Sequence, residues 1–407
     1  MMSASSSNQC SRRILLLLIV IILGFTNAEY NELKMVNVIF RHGERLPTGR
    51  EYYNSFPNVS HINVTLSPEG LGSMTNNGKL SMYNLGVFLR RRYDDFLGDY
   101  YNINMTRVRS TQTYRTFLSA QLVNAGLWPP AEFQQWKKDL LWLPVPYEYV
   151  KFDEDSLMLP YYCRWYVYEY EKAWQSEEVR KLVEPHLEFF AYVSRHSGVN
   201  VTTPRQIFFL YHMLQAQTNF NLALPLWTAG YFPDGQMYDV VLLAYDIMSW
   251  GNRIKKIYGG PLLREILQNC KTCMNGASIP KMMLYSGHDS NIASVLKTLG
   301  LWTPHIPDYS SALIFELYLN NSTNEYGIQI LYYRGRSEEI VPLILTGCTQ
   351  ICPISNFTRL LSHVIPGDSE EVCEMNLETE DSKNLSESLH TTSSIAWLII
   401  CILLKLI

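Results

Sequence analysis

Three short stretches of the sequence carry side chains that could act on a phosphate group. The stretches "RHGER", "RST" and "GHDS" supply Arg41, His42, Arg45, Arg109, His288 and Asp289. An arginine guanidinium donates two parallel charged hydrogen bonds to phosphate oxygens, a geometry that lysine does not offer. Three guanidiniums would therefore hold a phosphate dianion from three sides. Because phosphoryl transfer depends mainly on alignment and charge stabilisation, such a clamp would supply much of the catalysis.

The two histidines and the aspartate complete a set for phosphoryl transfer. His42 is the predicted nucleophile, since a neutral imidazole can attack phosphorus and neighbouring cations lower its pKa and keep it neutral in acid. His288 is predicted to donate a hydrogen bond to a phosphoryl oxygen. Asp289 can protonate the departing alkoxide if it holds a proton. The cationic pocket opposes that protonation, so the charge of the bound phosphate must help to raise the pKa of Asp289.

The three stretches occupy the same place in a repeated local pattern. The pattern is a β-rich run, then polar residues at its tip and then a helix, and its three copies start at "KMVNVIF", "TRVRST" and "KMMLYSGHDS". It predicts an α/β fold in which helices flank a sheet. In open α/β sheets, ligands bind beyond the carboxyl ends of the strands, where helix N-termini also point. We therefore expect the three tips to meet at one edge of a shared sheet.

Two helices are predicted near these tips. The third tip leads into "NIASVLKTLG", with Asp289 or Ser290 as the N-cap and Gly300 just past the end of the helix. The other helix is predicted over residues 76–96. The arginines at positions 90–92 are interpreted as a solvated helix end that the helix dipole favours.

Residues 136–276 differ in character from the segments on either side. They begin with the proline-punctuated "WLPVPYEYV" and continue with aromatic and charged residues at mainly helical spacing. We predict that they form an inserted α-helical cap over the sheet edge, and we interpret aromatics such as Tyr161 and Trp165 as packing groups. The α/β domain is then discontinuous and consists of residues 29–135 and 277–375.

The composition and the N-terminus indicate an exported globular protein. The chain has 407 residues, a formal charge of −4 and 47% hydrophobic residues, a balance that suggests no nucleic-acid partner. Residues 1–28 are predicted to be a secretory signal peptide, because the apolar run after Arg12 and Arg13 is short for a membrane span. N-glycosylation sequons, one overlapped by Asn320, stand at Asn58, Asn63, Asn104, Asn200, Asn321, Asn356 and Asn384.

Two segments follow the predicted α/β domain at the C-terminus. Residues 376–394 are polar and lack aromatic residues, which is typical of a flexible stalk. Residues 395–407 form an apolar tail that is short for a spanning helix and resembles the removable signal for a glycolipid anchor. A short tail that stays in the membrane is the alternative. The expected location is the secretory pathway, ending outside the cell, at the cell surface or in the lysosome.

Other interpretations of the polar and cysteine-rich stretches compete with these predictions. "RHGER" alone could belong to a surface ion-pair network, whereas three such stretches at strand tips favour a site. A metal site built from His42, His288 and Asp289 lacks HExxH-type spacing, and three arginines would repel a cation. Zinc bound by "CKTC" and "CTQIC" is the runner-up to disulfide formation by the six cysteines expected in the lumen. These are Cys163, Cys270, Cys273, Cys348, Cys352 and Cys373.

Five stretches, in order along the chain, resemble the histidine acid phosphatase family of the prostatic and lysosomal type. They are "VNVIFRHGERLPT", "RVRSTQTYRTFLSA", "LLWLPVP", "KMMLYSGHDS" and "ILTGCTQICPISNF". The resemblance implies a phosphoglycerate mutase-like α/β fold with an α-helical cap, and hydrolysis of phosphate monoesters through a phosphohistidine without a metal or cofactor. It implies His42 as nucleophile and Asp289 as proton donor. The phosphate-binding residues that it implies are Arg41, Arg45, Arg109 and His288.

The resemblance also has consequences for cysteine pairing and assembly. The disulfides that it implies are Cys163 with Cys373 and Cys348 with Cys352. The third bridge of the family is missing, because Ala216 and Ala312 occupy the positions where its cysteines are expected. Cys270 and Cys273 are left over for a local bridge. Relatives often dimerise, and "WLPVP" with Trp142 resembles a segment at their interface, so a homodimer is implied.

Three functional hypotheses remain open at this point. The first is an acid phosphatase that acts on small phosphomonoesters in mildly acidic solution. The second is a catalytically idle surface or secreted binding protein on the same scaffold. The presence of all six catalytic positions favours the enzyme. The third is a metal-dependent phosphatase, which a chelator would inactivate.

Overall fold

One mixed β-sheet organises the chain in the computed structural model, which describes residues 30–48 and 69–373. The predicted signal peptide, stalk and apolar tail, and the sequons at Asn58, Asn63 and Asn384, lie outside those residues. The strands are β1 Glu32–Arg41, β2 Thr106–Ser110, β3 Glu148–Tyr149, β4 Met282–Gly287, β5 Ala312–Asn320, β6 Glu325–Tyr333, β7 Ile340–Leu343 and β8 Ile351–Pro353. Their order across the sheet is β3-β2-β4-β1-β5-β6-β7, and β8 pairs with β6.

The half of the sheet that contains the three predicted tips is parallel. β4 lies between β1 and β2, so that Leu284 is the partner of Val38 on one side and of Val108 on the other. Parallel neighbours end at the same edge of a sheet, so the three tips meet there as expected from the sequence. The strands from β5 onward pair antiparallel, which makes the sheet mixed.

Helices cover both faces of the sheet. In chain order they are α1 Asn76–Arg92, α2 Asp94–Leu97, α3 Tyr114–Leu127, α4 Arg164–Gln175, α5 Glu177–Val183, α6 Leu187–Ser197, α7 Pro204–Asn219, α8 Gln236–Met248, α9 Gly251–Tyr258, α10 Gly260–Met274, α11 Asp289–Thr298 and α12 Ile354–Leu361. Short 3-10 turns occur at Glu132–Gln134, Pro160–Tyr162, Glu184–His186, Leu226–Thr228 and Gly335–Ser337.

The residues of β1 explain why each face of the sheet carries a helical layer. Successive side chains of a strand point to opposite faces. Val38 and Phe40 therefore pack into the core shared with α1 and α3, whereas Met35 and Ile39 pack into the core shared with α10, α11 and α12. A strand buried on both faces reads as a continuous apolar run, as "MVNVIF" largely does. The predicted α/β fold with flanking helices is confirmed.

Helices α4 to α9 contain most of the side chains of two further apolar clusters. Phe190, Ile207 and Val240 lie in the larger cluster, which also takes in Ala293 of α11 and so joins these helices to the sheet near the third tip. Within the predicted cap at residues 136–276, β3 pairs with β2, and α10 packs into a core of the sheet. We therefore propose α4 to α9 as the helical cap and assign β3 and α10 to the sheet layer.

Two predicted helix boundaries differ from the structure. The helix predicted over residues 76–96 ends at Arg92, and α2 begins only after Tyr93, whose backbone leaves the helical conformation. The N-cap of α11 is His288 rather than Asp289 or Ser290, because the backbone of His288 is still extended. Gly300 follows the end of α11 with φ near +70°, in agreement with the prediction.

Arg92, one of the arginines interpreted as a solvated end of α1, is exposed and also binds a buried carboxylate. Its Nη2 lies 2.7 Å from Oε1 of Glu316, a fully buried carboxylate on β5. The Tyr93 hydroxyl donates to the same oxygen at 2.6 Å. Arg92 thus neutralises a charge on a central strand, a contact that depends on long-range packing.

The cysteines form two disulfides in the part of the chain that the structure describes. They are the implied pairs, Cys163 with Cys373 and Cys348 with Cys352. The first ties the start of α4 to the last described residue. The suggested local bridge is not formed, because Cys270 and Cys273 on α10 are free thiols.

None of the helices within residues 30–48 and 69–373 is both long enough and apolar enough to span a bilayer.

Candidate active site

His42 stands directly after β1, and its backbone is fixed by two neighbouring segments. Its N–H donates to the Gly287 carbonyl oxygen at 3.0 Å, and its carbonyl oxygen accepts from the Ser310 N–H at 3.3 Å. The Nδ1 atom lies 2.8 Å from the Gly43 carbonyl oxygen. Because a carbonyl oxygen only accepts, this contact places the hydrogen on Nδ1 and leaves the lone pair on Nε2. The imidazole is therefore held in the tautomer that attacks through Nε2.

Gly43 allows the loop that carries His42 to press against the start of α1. A Cβ atom at this position would lie 2.4 Å from the Gly78 carbonyl oxygen, far inside contact distance. The Gly43 N–H also donates to Ser119 Oγ of α3 at 3.3 Å. The glycine in "RHGER" is thus needed for the close approach of the loop to two helices.

Arg41 binds Asp289 across the junction of β1 and α11. Arg41 shares the strand face of Met35 and Ile39, which is the face that α11 covers. Its Nη2 lies 2.9 Å from Asp289 Oδ2, and its Nη1 donates to the Pro307 carbonyl oxygen. The guanidinium also stacks on the Tyr309 ring, 4.1 Å from the centroid. Arg41 is almost fully buried by these contacts.

His288 faces His42 from the third tip. The centroids of the two imidazole rings are 5.6 Å apart, so both rings border the same space. His288 Nε2 lies 3.0 Å from Thr111 Oγ1, and its Nδ1 lies 3.4 Å from Nη2 of Arg115. A guanidinium only donates, so Nδ1 accepts from Arg115 and Nε2 carries the hydrogen. This arrangement suits a neutral His288.

Burial and nearby cations lower the pKa of both histidines. The pKa of His42 lies well below its usual value of 6.5, first because the ring is buried and then because Arg115, Arg41, His288 and Arg45 are close. Burial and Arg115 likewise place the pKa of His288 well below 6.5. The lowered pKa of His42 agrees with the expectation that this imidazole is neutral in acid. Burial lowers the pKa more than the neighbouring arginines do.

Asp289 is ionised in this arrangement. Burial raises the pKa of its carboxyl group, but Arg41 and the imidazoles of His212 and His288 outweigh burial and bring the pKa to about 2. This result agrees with the expectation that a cationic pocket opposes protonation. His212 belongs to α7 in the cap, and its Nε2 lies 3.8 Å from Asp289 Oδ2.

Arg109 is buried at the second tip, where it contacts a carboxylate and a backbone carbonyl oxygen. Its Nη2 lies 2.8 Å from Asp155 Oδ1, and its Nη1 donates to the Ser110 carbonyl oxygen. Strand alternation turns Arg109 away from Val108, which packs under α1 and α3. Its phosphate-binding role remains a prediction. Arg45, the third predicted arginine, is buried and donates to the Leu46 carbonyl oxygen at 2.9 Å.

Several residues of this site were not predicted from the sequence. Arg115 stands in the stretch "RSTQTYRTFLSA", and its place in the first turn of a helix behind a strand tip is a signal that could have found it. His212, Tyr309 and Asp155 reach the site only through docking of the cap and of two loops, which local pattern does not reveal. Among the described residues, no group of three or more His, Cys, Asp or Glu side chains could hold a metal ion.

Comparison with known proteins gives relatives over most of the chain. The venom acid phosphatase Acph-1 of Apis mellifera is 38% identical over 357 residues, which cover 87% of this chain and 91% of that protein. The prostatic acid phosphatase of Homo sapiens is 31% identical, covering 84% of this chain and 88% of that protein. The lysosomal acid phosphatase of Rattus norvegicus is 30% identical, with 92% and 88% covered.

Solved structures and a family model point the same way. The apo phytase of Hafnia alvei superposes with a TM-score of 0.61 at 19% identity, covering 84% of this chain and 98% of that one, which indicates a shared fold. The model of the histidine phosphatase superfamily (branch 2) matches residues 32–333. The resemblance and the fold class inferred from the sequence are therefore confirmed. The chain therefore belongs to the histidine phosphatase superfamily, branch 2.

Proposed function

We propose that this protein is an acid phosphatase that hydrolyses phosphate monoesters through a phosphohistidine on His42. The observation that carries the proposal is a buried, neutral imidazole whose Nε2 lone pair faces a cationic site. His42 Nε2 attacks phosphorus while the ester P–O bond breaks, and the alkoxide takes a proton from Asp289. Water then attacks phosphorus, the N–P bond breaks, and the Asp289 carboxylate accepts a proton of that water.

The cations around His42 would bind the transferred phosphoryl group. Arg41, Arg45 and Arg115 all act on the imidazole of His42, which places their charge where negative charge develops on the phosphoryl oxygens. His288 would donate from its Nε2 after leaving Thr111. Arg109 would join this set by exchanging the Asp155 carboxylate for a phosphate oxygen, since a guanidinium binds both groups in the same way.

Protonation of Asp289 requires the substrate. Arg41 holds the pKa of Asp289 near 2. A bound phosphate shares the positive charge of Arg41 and adds negative charge beside the carboxylate, and both effects raise the pKa of Asp289. Acidic solution favours the same protonated form, so turnover is expected to be highest in mild acid.

Hydrolysis of a chromogenic aryl phosphate across pH tests this proposal. We expect His42→Ala to reduce kcat by several orders of magnitude, because the covalent intermediate can no longer form, and vanadate to inhibit the wild-type protein. His363→Ala is the matched control, since His363 is an exposed histidine. A chelator is expected to leave the rate unchanged. A wild-type protein without activity, or a His42→Ala variant with full activity, would contradict the proposal.

We further propose that the protein follows the secretory route and carries N-linked glycans. Relatives are named for venom, prostate and lysosome, which supports that route. The side chains of Asn104, Asn200 and Asn321 are exposed and could accept a glycan. Asn320 is buried, and its Oδ1 accepts two backbone N–H groups of the next turn, so Asn321 is the proposed acceptor of the overlapping pair. Mapping of glycopeptides before and after enzymatic deglycosylation tests these assignments.

Membrane attachment through residues 395–407 is proposed on the sequence pattern alone. A glycolipid anchor would be cleaved by a phosphatidylinositol-specific phospholipase. Release of the enzyme activity from intact cells is the expected result. Retention on the cells would instead favour a tail that stays in the membrane.

A homodimer is proposed from the family resemblance and from an exposed apolar surface. Trp136, Leu141 and Trp142 are exposed in the segment that contains "WLPVP". Large apolar side chains gathered on a surface are typical of interfaces. Sedimentation equilibrium is expected to give a dimer mass, and Trp142→Glu is expected to give a monomer. A wild-type protein that is monomeric at all concentrations would contradict this assignment.

A further inference from the structure

A histidine of the cap reaches the carboxylate that is proposed to protonate the leaving group. His212 on α7 is only 2% exposed. Its Nε2 lies 3.8 Å from Asp289 Oδ2, the oxygen that also binds Arg41 Nη2 at 2.9 Å. One carboxylate oxygen therefore lies between a cation from the sheet and an imidazole from the cap. A movement of about 1 Å would bring the imidazole to hydrogen-bonding distance.

The position of the His212 ring is set by packing within the cap. Phe208, one helical turn earlier on α7, contacts the imidazole edge to face with ring centroids 4.4 Å apart. Tyr211 packs against it at 5.8 Å. Phe208 is held in turn by Tyr245 of α8, with centroids 5.3 Å apart. The ring consequently stays over Asp289 as long as the cap is docked on the sheet.

The proposed reaction needs a proton at Asp289, whose carboxyl group the neighbouring positive charges keep ionised. Asp289 is ionised, with a pKa of about 2. The titratable and charged groups around it are Arg41, Arg45, Tyr161, His212, Tyr245 and His288. An arginine does not release its proton in proteins. Burial raises the pKa of both tyrosines further above the range in which an acid phosphatase would work.

The two histidines differ in their ability to supply that proton. Both ring nitrogens of His288 are engaged, one by Thr111 and the other by Arg115, and its pKa is strongly lowered. A protonated His288 would also place a further cation beside Arg115. His212 instead faces the carboxylate through Nε2. Imidazole is the side chain that ordinarily exchanges protons between pH 5 and 8.

We propose that His212 is a positioning residue that loads Asp289 with the proton required by the leaving group. The inference rests on the proposed phosphatase function. When a phosphate ester binds and shares the charge of Arg41, a proton moves from Nε2 of the protonated, cationic His212 to Asp289 Oδ2, which leaves His212 neutral. Asp289 passes it to the alkoxide oxygen as the P–O ester bond breaks and the bond from His42 Nε2 to phosphorus forms. During hydrolysis of the phosphohistidine, Asp289 takes a proton from the attacking water and returns it to His212.

Comparison of two substrates separates this role from a structural one. The leaving group of 4-nitrophenyl phosphate departs as a stable phenolate, whereas that of glycerol 2-phosphate must be protonated as it departs. In an enzyme with a covalent intermediate, kcat/KM reports the steps up to formation of that intermediate. We expect His212→Gln to lower kcat/KM for glycerol 2-phosphate by about tenfold or more, within the range of general acid catalysis. For 4-nitrophenyl phosphate we expect a change of less than about threefold, since that step needs no acid.

Two further variants calibrate the comparison. Asp289→Asn removes the proposed proton donor, so it is expected to show the same dependence on the leaving group with a larger loss. Ile207→Val is the matched control on α7, because it removes one methyl group from the buried core of the cap and leaves His212 and its neighbours Phe208 and Tyr211 in place. It is expected to keep the wild-type ratio of the two kcat/KM values. Thermal unfolding of all variants shows whether each retains the fold.

The outcomes distinguish this inference from the proposed function. A selective loss with glycerol 2-phosphate in His212→Gln supports the inference. Equal losses with both substrates, or no loss, overturn it. If His212→Gln does not fold, His212→Asn takes its place in the same comparison, and equal losses with both substrates again overturn the inference. A wild-type protein that hydrolyses neither substrate refutes the proposed function itself.

Discussion

At the scale of single residues, the reactivity of His42 depends on which arginines surround it. Burial has the largest effect on the pKa of His42, and Arg115 is the charged residue with the next largest effect. Arg109, which the family resemblance assigns to phosphate binding, is bound to Asp155. The second tip thus contains two arginines. Arg115 lies beside the imidazoles, whereas Arg109 would have to leave the Asp155 carboxylate in order to bind a substrate phosphate.

Replacement of Arg115 tests its effect on the nucleophile. In the wild type the lowered pKa keeps His42 neutral as the pH falls below 6.5, so kcat/KM is retained in acid until the pH reaches that lowered value. Arg115→Gln removes a cation, raises the pKa of His42 and moves the acid limb of the kcat/KM profile to higher pH. A loss of about 10² to 10³ in kcat is also expected, as for one oxyanion donor.

Arg107→Gln is the control for this change. Arg107 is half exposed on the same strand as Arg109 and pairs with Glu148 at the sheet edge. The Arg107→Gln variant is expected to have the same pH dependence of kcat/KM as the wild type. An acid limb that does not move in Arg115→Gln would show that Arg115 has no influence on the protonation of His42.

At the scale of elements, the strand tips were predictable because the residues that define each tip are contiguous in the sequence. A buried β-rich run followed by polar residues and a helix identifies β1, β2 and β4 without knowledge of their neighbours. The end of α1 was not predictable in this way. The ion pair of Arg92 depends on Glu316, which lies on β5 and is distant in sequence.

Arg92→Met tests the buried carboxylate beneath α1. Glu316 is fully buried, so loss of Arg92 leaves its charge with only the hydroxyl donors of Tyr93 and Tyr318. We expect a loss of about 1–3 kcal/mol in the free energy of unfolding, measured by urea denaturation. Arg91→Met, an exposed arginine in the same helical turn, is expected to change it by less than about 0.5 kcal/mol. Equal effects of both variants would show that the contact with Glu316 contributes nothing.

At the scale of the whole molecule, the sequence predicted the layers of the fold better than the contacts between them. The three β-rich runs, with the polar residues and the helix that follow each, sufficed to predict an α/β sheet flanked by helices. The positions of His212 and Asp155 could not be predicted, because they depend on how the cap and the segment before it dock on the sheet. Likewise, the spacing of Cys270 and Cys273 in the sequence did not show that both are free thiols.

Folding stability is expected to fall as the solution becomes acidic. The folded protein keeps His42 and His288 neutral, with pKa values well below 6.5, whereas both bind protons near pH 6.5 when unfolded. Each therefore destabilises the fold as the pH falls below 6.5, by up to about 1.4 kcal/mol per pH unit until its lowered pKa is reached. Asp289 adds a loss only below about pH 4, because its folded pKa is about 2.

Urea unfolding at pH 7 and pH 5 measures this dependence. His42→Gln, which cannot titrate, is expected to lose less stability between the two pH values than the wild type. His363→Gln, at an exposed position, is expected to behave like the wild type. A His42→Gln variant with the wild-type dependence would mean that His42 titrates normally in the folded protein.

Trapping of the covalent intermediate tests the central claim most directly. The enzyme is mixed with a phosphate-labelled aryl phosphate in mild acid, quenched within milliseconds into base, where phosphohistidine is stable, and digested for mass spectrometry. We expect stoichiometric label on His42 in the wild type and in Asp289→Asn, where the intermediate forms with a good leaving group. A label on another residue, or rapid turnover without any phosphorylated enzyme, would contradict nucleophilic catalysis by His42.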